Sequence, residues 1–132
     1  MNGFLEKTKQ SLIAAESLLQ QSLYASSINC SFYACLQTAL HVIFVILKHD
    51  KKKFINDMKQ KKTGTHEHVS NLITEAIKKK NEKDAIWFRK NFSTLKTLRV
   101  KAVYEATTIT QSEGYDALTN TNTINNLIRK IS

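Results

Sequence analysis

An all-α fold, an antiparallel bundle of about five helices, is predicted by three observations on this 132-residue chain. It contains no proline and only three glycines, so little in it obliges a helix to stop early. Its apolar residues recur close to helical spacing almost throughout, and no alternating apolar and polar run bounded by turn residues marks a strand. With 42 % hydrophobic residues, a chain of this length forms one domain over residues 1–132 and removes about two-thirds of its unfolded surface from water.

The first helix is expected over residues 3–22, where Leu5, Leu12, Ala15, Leu19 and Leu23 form an apolar stripe and Glu6, Lys7, Lys9 and Gln20 face water. Tyr24-Ala-Ser-Ser-Ile28 offers serine caps to a second helix carrying Ile28, Phe32, Cys35, Leu36, Ala39, Ile43, Ile46 and Leu47. Its second half is apolar nearly all round, so it belongs at the centre of the bundle or in a subunit interface. From His49 to Gly64 lysines and polar residues interrupt the pattern. This stretch reads as a connecting loop, the segment most prone to disorder, with a helical turn near Phe54, Ile55 and Met58.

A third helix starts near Thr65, whose side chain is placed to cap it, with Glu67 in the first turn and Val69, Leu72, Ile73, Ala76 and Ile77 inward. Lys78, Lys79 and Lys80 suit the negative end of its dipole. The fourth helix, from about Asp84 to Glu105, turns Phe88, Phe92, Leu95, Leu98 and Ala102 inward and Arg89, Lys90, Lys96, Arg99 and Lys101 elsewhere. A polar loop from Thr107 to Gln111 precedes a capping box, Thr110-Gln-Ser-Glu113, and a last helix marked by Ala117, Thr121, Ile124, Ile128 and Ile131.

The formal charge of +9 is unevenly spread. Residues 48–62 hold seven lysines against Asp50 and Asp57, a net +5. Residues 78–101 hold seven lysines and two arginines against Glu82 and Asp84, a net +7, leaving −3 for the rest. Such asymmetry attracts polyanions, although a lysine run is more often a solvated face. Lysine supplies 17 of the 20 basic residues, whereas bidentate phosphate recognition favours arginine, so binding to nucleic acid would be mainly electrostatic and salt-sensitive.

Cys30 and Cys35 lie in an apolar run without a second ligand pair, which fits reduced, buried thiols and a cytoplasmic setting. The N-terminus lacks the features of a secretory signal. The apolar stretch from Phe32 to Leu47 is short for a span of about 20 residues and contains Gln37, Thr38 and His41, so a buried helix with no membrane partner is expected.

Phosphate loops, dinucleotide fingerprints, His-Glu-x-x-His and serine elbows are all missing from the sequence. His66 and His68, two apart, point to different faces of a helix and make a poor metal pair, and no metal or other cofactor is indicated. His41, inside the apolar helix, reads as a core residue. Arg99 and Tyr104 on the fourth helix are five apart, hence roughly 140° apart around its axis, and do not converge within one chain. A two-fold dimer could bring each Arg99 to the partner's Tyr104 and build one basic cleft from two halves.

Three patches give the chain a family resemblance. Tyr24-Ala-Ser-Ser-Ile-Asn-Cys-Ser-Phe-Tyr33-Ala34 is similar to a second-helix pattern that ends Asn-Arg-x-Tyr-Tyr-Ala. Thr65-His66-Glu-His-Val69 resembles a Thr-His-x-x-Val helix start, and Leu98-Arg99-Val-Lys-Ala102-Val-Tyr104 is close to Leu-Arg-x-Lys-Ala-Asp-Tyr. In this order, across residues 4–131, they resemble the HEPN domains (higher eukaryotes and prokaryotes nucleotide-binding), in particular an uncharacterised bacterial branch. Cys30 stands where the family has arginine and Val103 where the branch has aspartate.

Active HEPN proteins are metal-independent ribonucleases with an arginine followed, four to six residues on, by histidine, paired across a dimer. Here that window holds Tyr104, Glu105 and Ala106, and no histidine occurs from 69 to 132. The resemblance therefore implies a homodimeric module that binds RNA or a nucleotidyltransferase-type partner, in a toxin–antitoxin or phage-defence setting, with ribonuclease activity weak or lost. Arg89, Lys96, Arg99 and Lys101 are the expected RNA- or nucleotide-binding residues. The alternative is a divergent ribonuclease with Arg99 and Tyr104 catalytic across the dimer cleft, helped by Asn91 or His66 from another helix.

Overall fold

The computed structural model describes residues 3–131. Among them six α-helices and no strand are found: α1 (Gly3–Gln20), α2 (Tyr24–His41), α3 (Lys51–Lys61), α4 (Thr65–Lys78), α5 (Glu82–Tyr104) and α6 (Gln111–Arg129). A π-helical segment, Val42–Ile46, prolongs α2. The all-α bundle agrees with the apolar periodicity, with one helix more than that periodicity suggested.

The additional helix is α3, where a connecting loop was expected. Asp50 starts it by accepting the Lys53 amide at 3.1 Å, and Lys62 ends it in the left-handed conformation at φ 54°. Lysine, glutamine and methionine between these stops are good helix formers. Phe54, the buried side chain of α3, lies edge-on to Phe44 at 5.1 Å and to His68 at 4.6 Å. One buried residue fastens the helix without leaving an apolar stripe.

The apolar α2 occupies the centre, against α1, α4, α5 and α6. Tyr24–Ile46 is long and apolar enough to cross a membrane by length and composition, and 61 % of its most apolar window is buried inside the bundle. Ile28, Phe32, Cys35, Ala39 and Ile43 meet Val69, Ile73 and Ile77 of α4, Phe88, Phe92 and Leu95 of α5, and Ile124 and Ile128 of α6 in one core. Some buried hydroxyls are paired across the layers: Thr8 with Thr38 at 3.2 Å, and Thr121 donating to the Ser31 carbonyl at 3.2 Å. Both cysteines are free thiols, and burial pushes Cys35 up to about 12.

Two expected caps are absent. Leu23 precedes α2 without a side-chain cap, and Ser27 instead donates to the Ala15 carbonyl at 2.8 Å, tying α2 to α1. A buried hydroxyl at that position finds its acceptor across the interface. Leu23 is itself exposed, because Ser22 is left-handed at φ 63° and breaks the register of the α1 stripe. Gly64 occupies the N-cap of α4, also without a side-chain cap, and Thr65 is the first helical residue.

The cap expected for α6 holds. Thr110 and Glu113 form the expected capping box of α6, and Asn81 accepts the Asp84 amide at 3.1 Å to start α5. Lys80 does more than face its own helix end. Its Nζ donates to the carbonyls of Lys130 and Ile131 at 2.8 and 3.1 Å, satisfying the last turn of α6. Gly114 sits where α6 crosses the α1–α2 turn, and a Cβ there would lie 3.0 Å from Leu19 Cδ1 and 3.3 Å from Tyr24 Cβ.

Candidate nucleic-acid interface

The first turns of α4 and the middle of α5 border a groove of about 520 Å³. Helical spacing on α5 places Arg89, Ser93 and Lys96 along one wall with Lys90 beside them. His66, Glu67, Ser70 and Asn71 form the α4 side, and buried Phe92 supplies the floor. Three cations therefore face one carboxylate, with hydroxyl and amide groups between them.

The groove ends on an aromatic cluster built from α2. Phe32 is fully buried, its ring 5.6 Å from Phe92 and 5.0 Å from the edge-on ring of His66. Arg99 from α5 lays its guanidinium 5.3 Å from the centre of Phe32 and 5.2 Å from that of Tyr33. Its Nε donates to Asn29 Oδ1 at 3.0 Å and its Nη2 to the Tyr33 hydroxyl at 3.2 Å. The planar fork is thus held on three sides, and of its five N–H groups the remaining ones stay available to an anion.

His66 and Arg99 share the Phe32 ring. Burial, the principal cause, and the charges of Lys96 and Arg99 lower the His66 pKa from its ordinary 6.5, so its imidazole is neutral at neutral pH. A neutral imidazole is a proton acceptor, and a pinned guanidinium is a fixed positive charge. His68 faces elsewhere, against Phe54 of α3. Among the described residues no group of three or more His, Cys, Asp or Glu side chains could hold a metal ion.

Of the residues singled out in the sequence, Arg89 and Lys96 line the groove and Arg99 lies at its aromatic end. Lys101 does not join them: its Nζ forms an ion pair with Glu113 Oε2 at 2.8 Å beside a separate groove between α5 and α6. Tyr104, the last residue of α5, is 72 % exposed and lines neither groove. Its five-residue offset from Arg99 keeps the two on different sides of the helix. Asn91 donates to the Trp87 carbonyl of its own helix at 2.8 Å.

Asn29, Tyr33 and Lys90 were missed as site residues. Asn29 and Tyr33 are four apart and share one face of α2, and that spacing was the available signal. Nothing in the sequence pairs them with an arginine about 70 residues away. Compared with protein-family models, with curated proteins and with solved structures, the chain matches none.

Proposed function

We propose that this chain is a HEPN-like module that binds RNA through the α4–α5 groove. The observation that carries the reading is the groove itself, with Arg89, Lys90 and Lys96 on its rim and the pinned Arg99 at its end. The sequence patches behind the resemblance add support: Asn29 and Tyr33, His66, and Arg99 each come from a different patch and all lie around Phe32. The same resemblance supplies the wider setting proposed here, a homodimer in a toxin–antitoxin or phage-defence system with a nucleotidyltransferase-type partner chain.

Single-stranded RNA neutralised by four cations gives a slope of about −3 for log affinity against log salt. Fluorescence anisotropy of a labelled oligonucleotide over a potassium chloride series measures it. Arg89→Ala with Lys96→Ala reduces the slope by about 1.4 if the groove is the interface. An unchanged slope, or no binding by the parent at low salt, overturns the reading.

The shared ring of His66 and Arg99 favours a second reading, a metal-independent ribonuclease. His66 takes the proton of a 2′-hydroxyl, the 2′-oxygen attacks phosphorus, and Arg99 stabilises the phosphorane charge as the 5′-oxygen leaves with a proton from water. In the homodimeric form of this reading, Tyr104 of a second subunit completes the cleft. Incubating a mixed RNA pool in EDTA with the parent, His66→Ala, Arg99→Ala and Tyr104→Phe separates these forms. Loss with His66→Ala alongside Arg99→Ala marks the intrachain pair, and loss with Tyr104→Phe marks the dimer cleft. No cleavage by the parent leaves the binding module.

A further inference from the structure

A second surface, on residues the groove does not use, lies where α2 ends. The π-helical segment closes with the Leu47 amide on the Val42 carbonyl at 2.8 Å, and Lys48 then reverses the chain in the left-handed conformation at φ 57°. Just before the reversal Val45, Ile46 and Leu47 are 45, 38 and 36 % exposed. Three successive residues point in different directions around the axis, so side chains on more than one face of this helix end reach solvent. Beneath it Phe44 is fixed by Phe4 at 6.1 Å and by Phe54 of α3 at 5.1 Å.

Lysines are concentrated in the segment that follows this apolar corner. Residues 48–62 carry seven of them and no arginine, for a net +5. Lys51 already lies over Phe44, its Nζ 5.7 Å from the ring centre. Ile55, on α3, is 46 % exposed and adds a further aliphatic side chain to the same segment.

From this combination we infer that the α2–α3 corner is a peripheral docking surface for an anionic lipid bilayer. Aliphatic side chains at a protruding turn enter the boundary between headgroups and acyl chains, while lysine stems reach back to the phosphates. Each lysine near a negative surface adds attraction, and a cluster of this density is what such a surface recognises. RNA fits the corner poorly, because its exposed apolar groups are aliphatic and offer no ring for a base to stack on. A second copy of the chain fits poorly too, since a two-fold contact would set +5 against +5. The sequence-based expectation of no membrane partner concerned a spanning segment, and surface docking needs none.

The test is co-sedimentation of the full chain with vesicles of phosphatidylcholine alone and of phosphatidylcholine mixed with phosphatidylglycerol. Binding to the mixed vesicles only is expected, and Ile46→Ser with Leu47→Ser weakens it about tenfold. Lys52→Gln, Lys53→Gln and Lys59→Gln together weaken it at least as much and leave the circular dichroism spectrum unchanged. Leu47→Trp gives a blue shift of the added tryptophan emission on the mixed vesicles, a readout of insertion that does not depend on the serine variants folding. Arg89→Ala with Lys96→Ala leaves vesicle binding intact, which separates this surface from the groove. Three results overturn the inference: no binding to either vesicle, binding that the serine pair does not weaken, or a serine pair that dissociates a dimer without changing vesicle binding.

Discussion

Arg99 Nε donates to Asn29 Oδ1 at 3.0 Å, so α5 is tied to α2 by a residue that also carries the charge at the end of the groove. Asn29→Ala leaves that charge in place and frees its orientation. RNA affinity should fall about threefold to fivefold, for a stability cost of about 1 kcal/mol for the lost hydrogen bond. Arg99→Lys keeps the charge and cannot reproduce the fork that meets Asn29 and Tyr33. Its affinity should therefore lie near that of Arg99→Ala. Anisotropy titrations beside thermal melts check both, and a lysine variant with parental affinity would show that charge alone matters.

Lys101 makes the contrasting prediction. Its ammonium is already paired with Glu113, whose carboxyl the Lys101 hydrogen bond, and then the Thr110 amide, hold below the ordinary 4.5. Lys101→Met should leave the salt slope of RNA binding unchanged, whereas Lys96→Ala lowers it by about 0.7. The melting temperature of Lys101→Met should drop by no more than about 5 °C, as for a partly exposed pair. A slope change equal to that of Lys96→Ala would return Lys101 to the interface.

These two residues mark how far the sequence could be read. The start of α6 was legible because a local side chain closes a local amide there, in the Thr110–Glu113 box. Helix α3 was not, since a segment with Phe54 as its one buried side chain carries no periodicity and its lysines imitate a loop. Basic residues on α5 were visible as a set, but the sorting of Arg89 and Lys96 into a groove and Lys101 into an ion pair depends on α4 and α6 lying on different sides of α5. Likewise Arg99 was noticed without Asn29 or Tyr33, because partners so distant in sequence are fixed by tertiary packing.

Gly114 supplies a packing prediction. A methyl group there would press on Leu19 Cδ1 at 3.0 Å, which can rotate aside, and on Tyr24 Cβ at 3.3 Å, which sits next to the backbone. Gly114→Ala gains helix propensity of about 1 kcal/mol, and the crowding offsets it. Gly114→Val adds two methyl groups at the same contact and loses propensity, so it should destabilise by about 2 kcal/mol. Urea denaturation of the two variants measures the difference. Equal stability of the valine and alanine forms would mean that α6 can shift away from the α1–α2 turn.

Acid should loosen α3 before the rest of the bundle. His68 is 1 % exposed, neither ring nitrogen has a hydrogen-bond partner, and Phe54, the buried side chain of α3, packs on its ring. Burial first, then the charges of Lys61 and His49, lower its pKa from 6.5 against the opposing pull of Asp57. With the folded value below the unfolded one, the unfolded chain binds the proton more readily. Stability is therefore greatest above 6.5 and declines as the pH falls through that value, and His41 and His66, both shifted down as well, add in the same direction. Melting temperatures should fall from about pH 7.5 to about pH 5, with His68→Leu flattening much of that slope. Hydrogen exchange at the lower pH should speed up first at the α3 amides, because protonating His68 puts an uncompensated charge under their one anchor. Exchange that accelerates uniformly across all six helices, or a pH slope unchanged in His68→Leu, would assign the acid sensitivity to the other histidines.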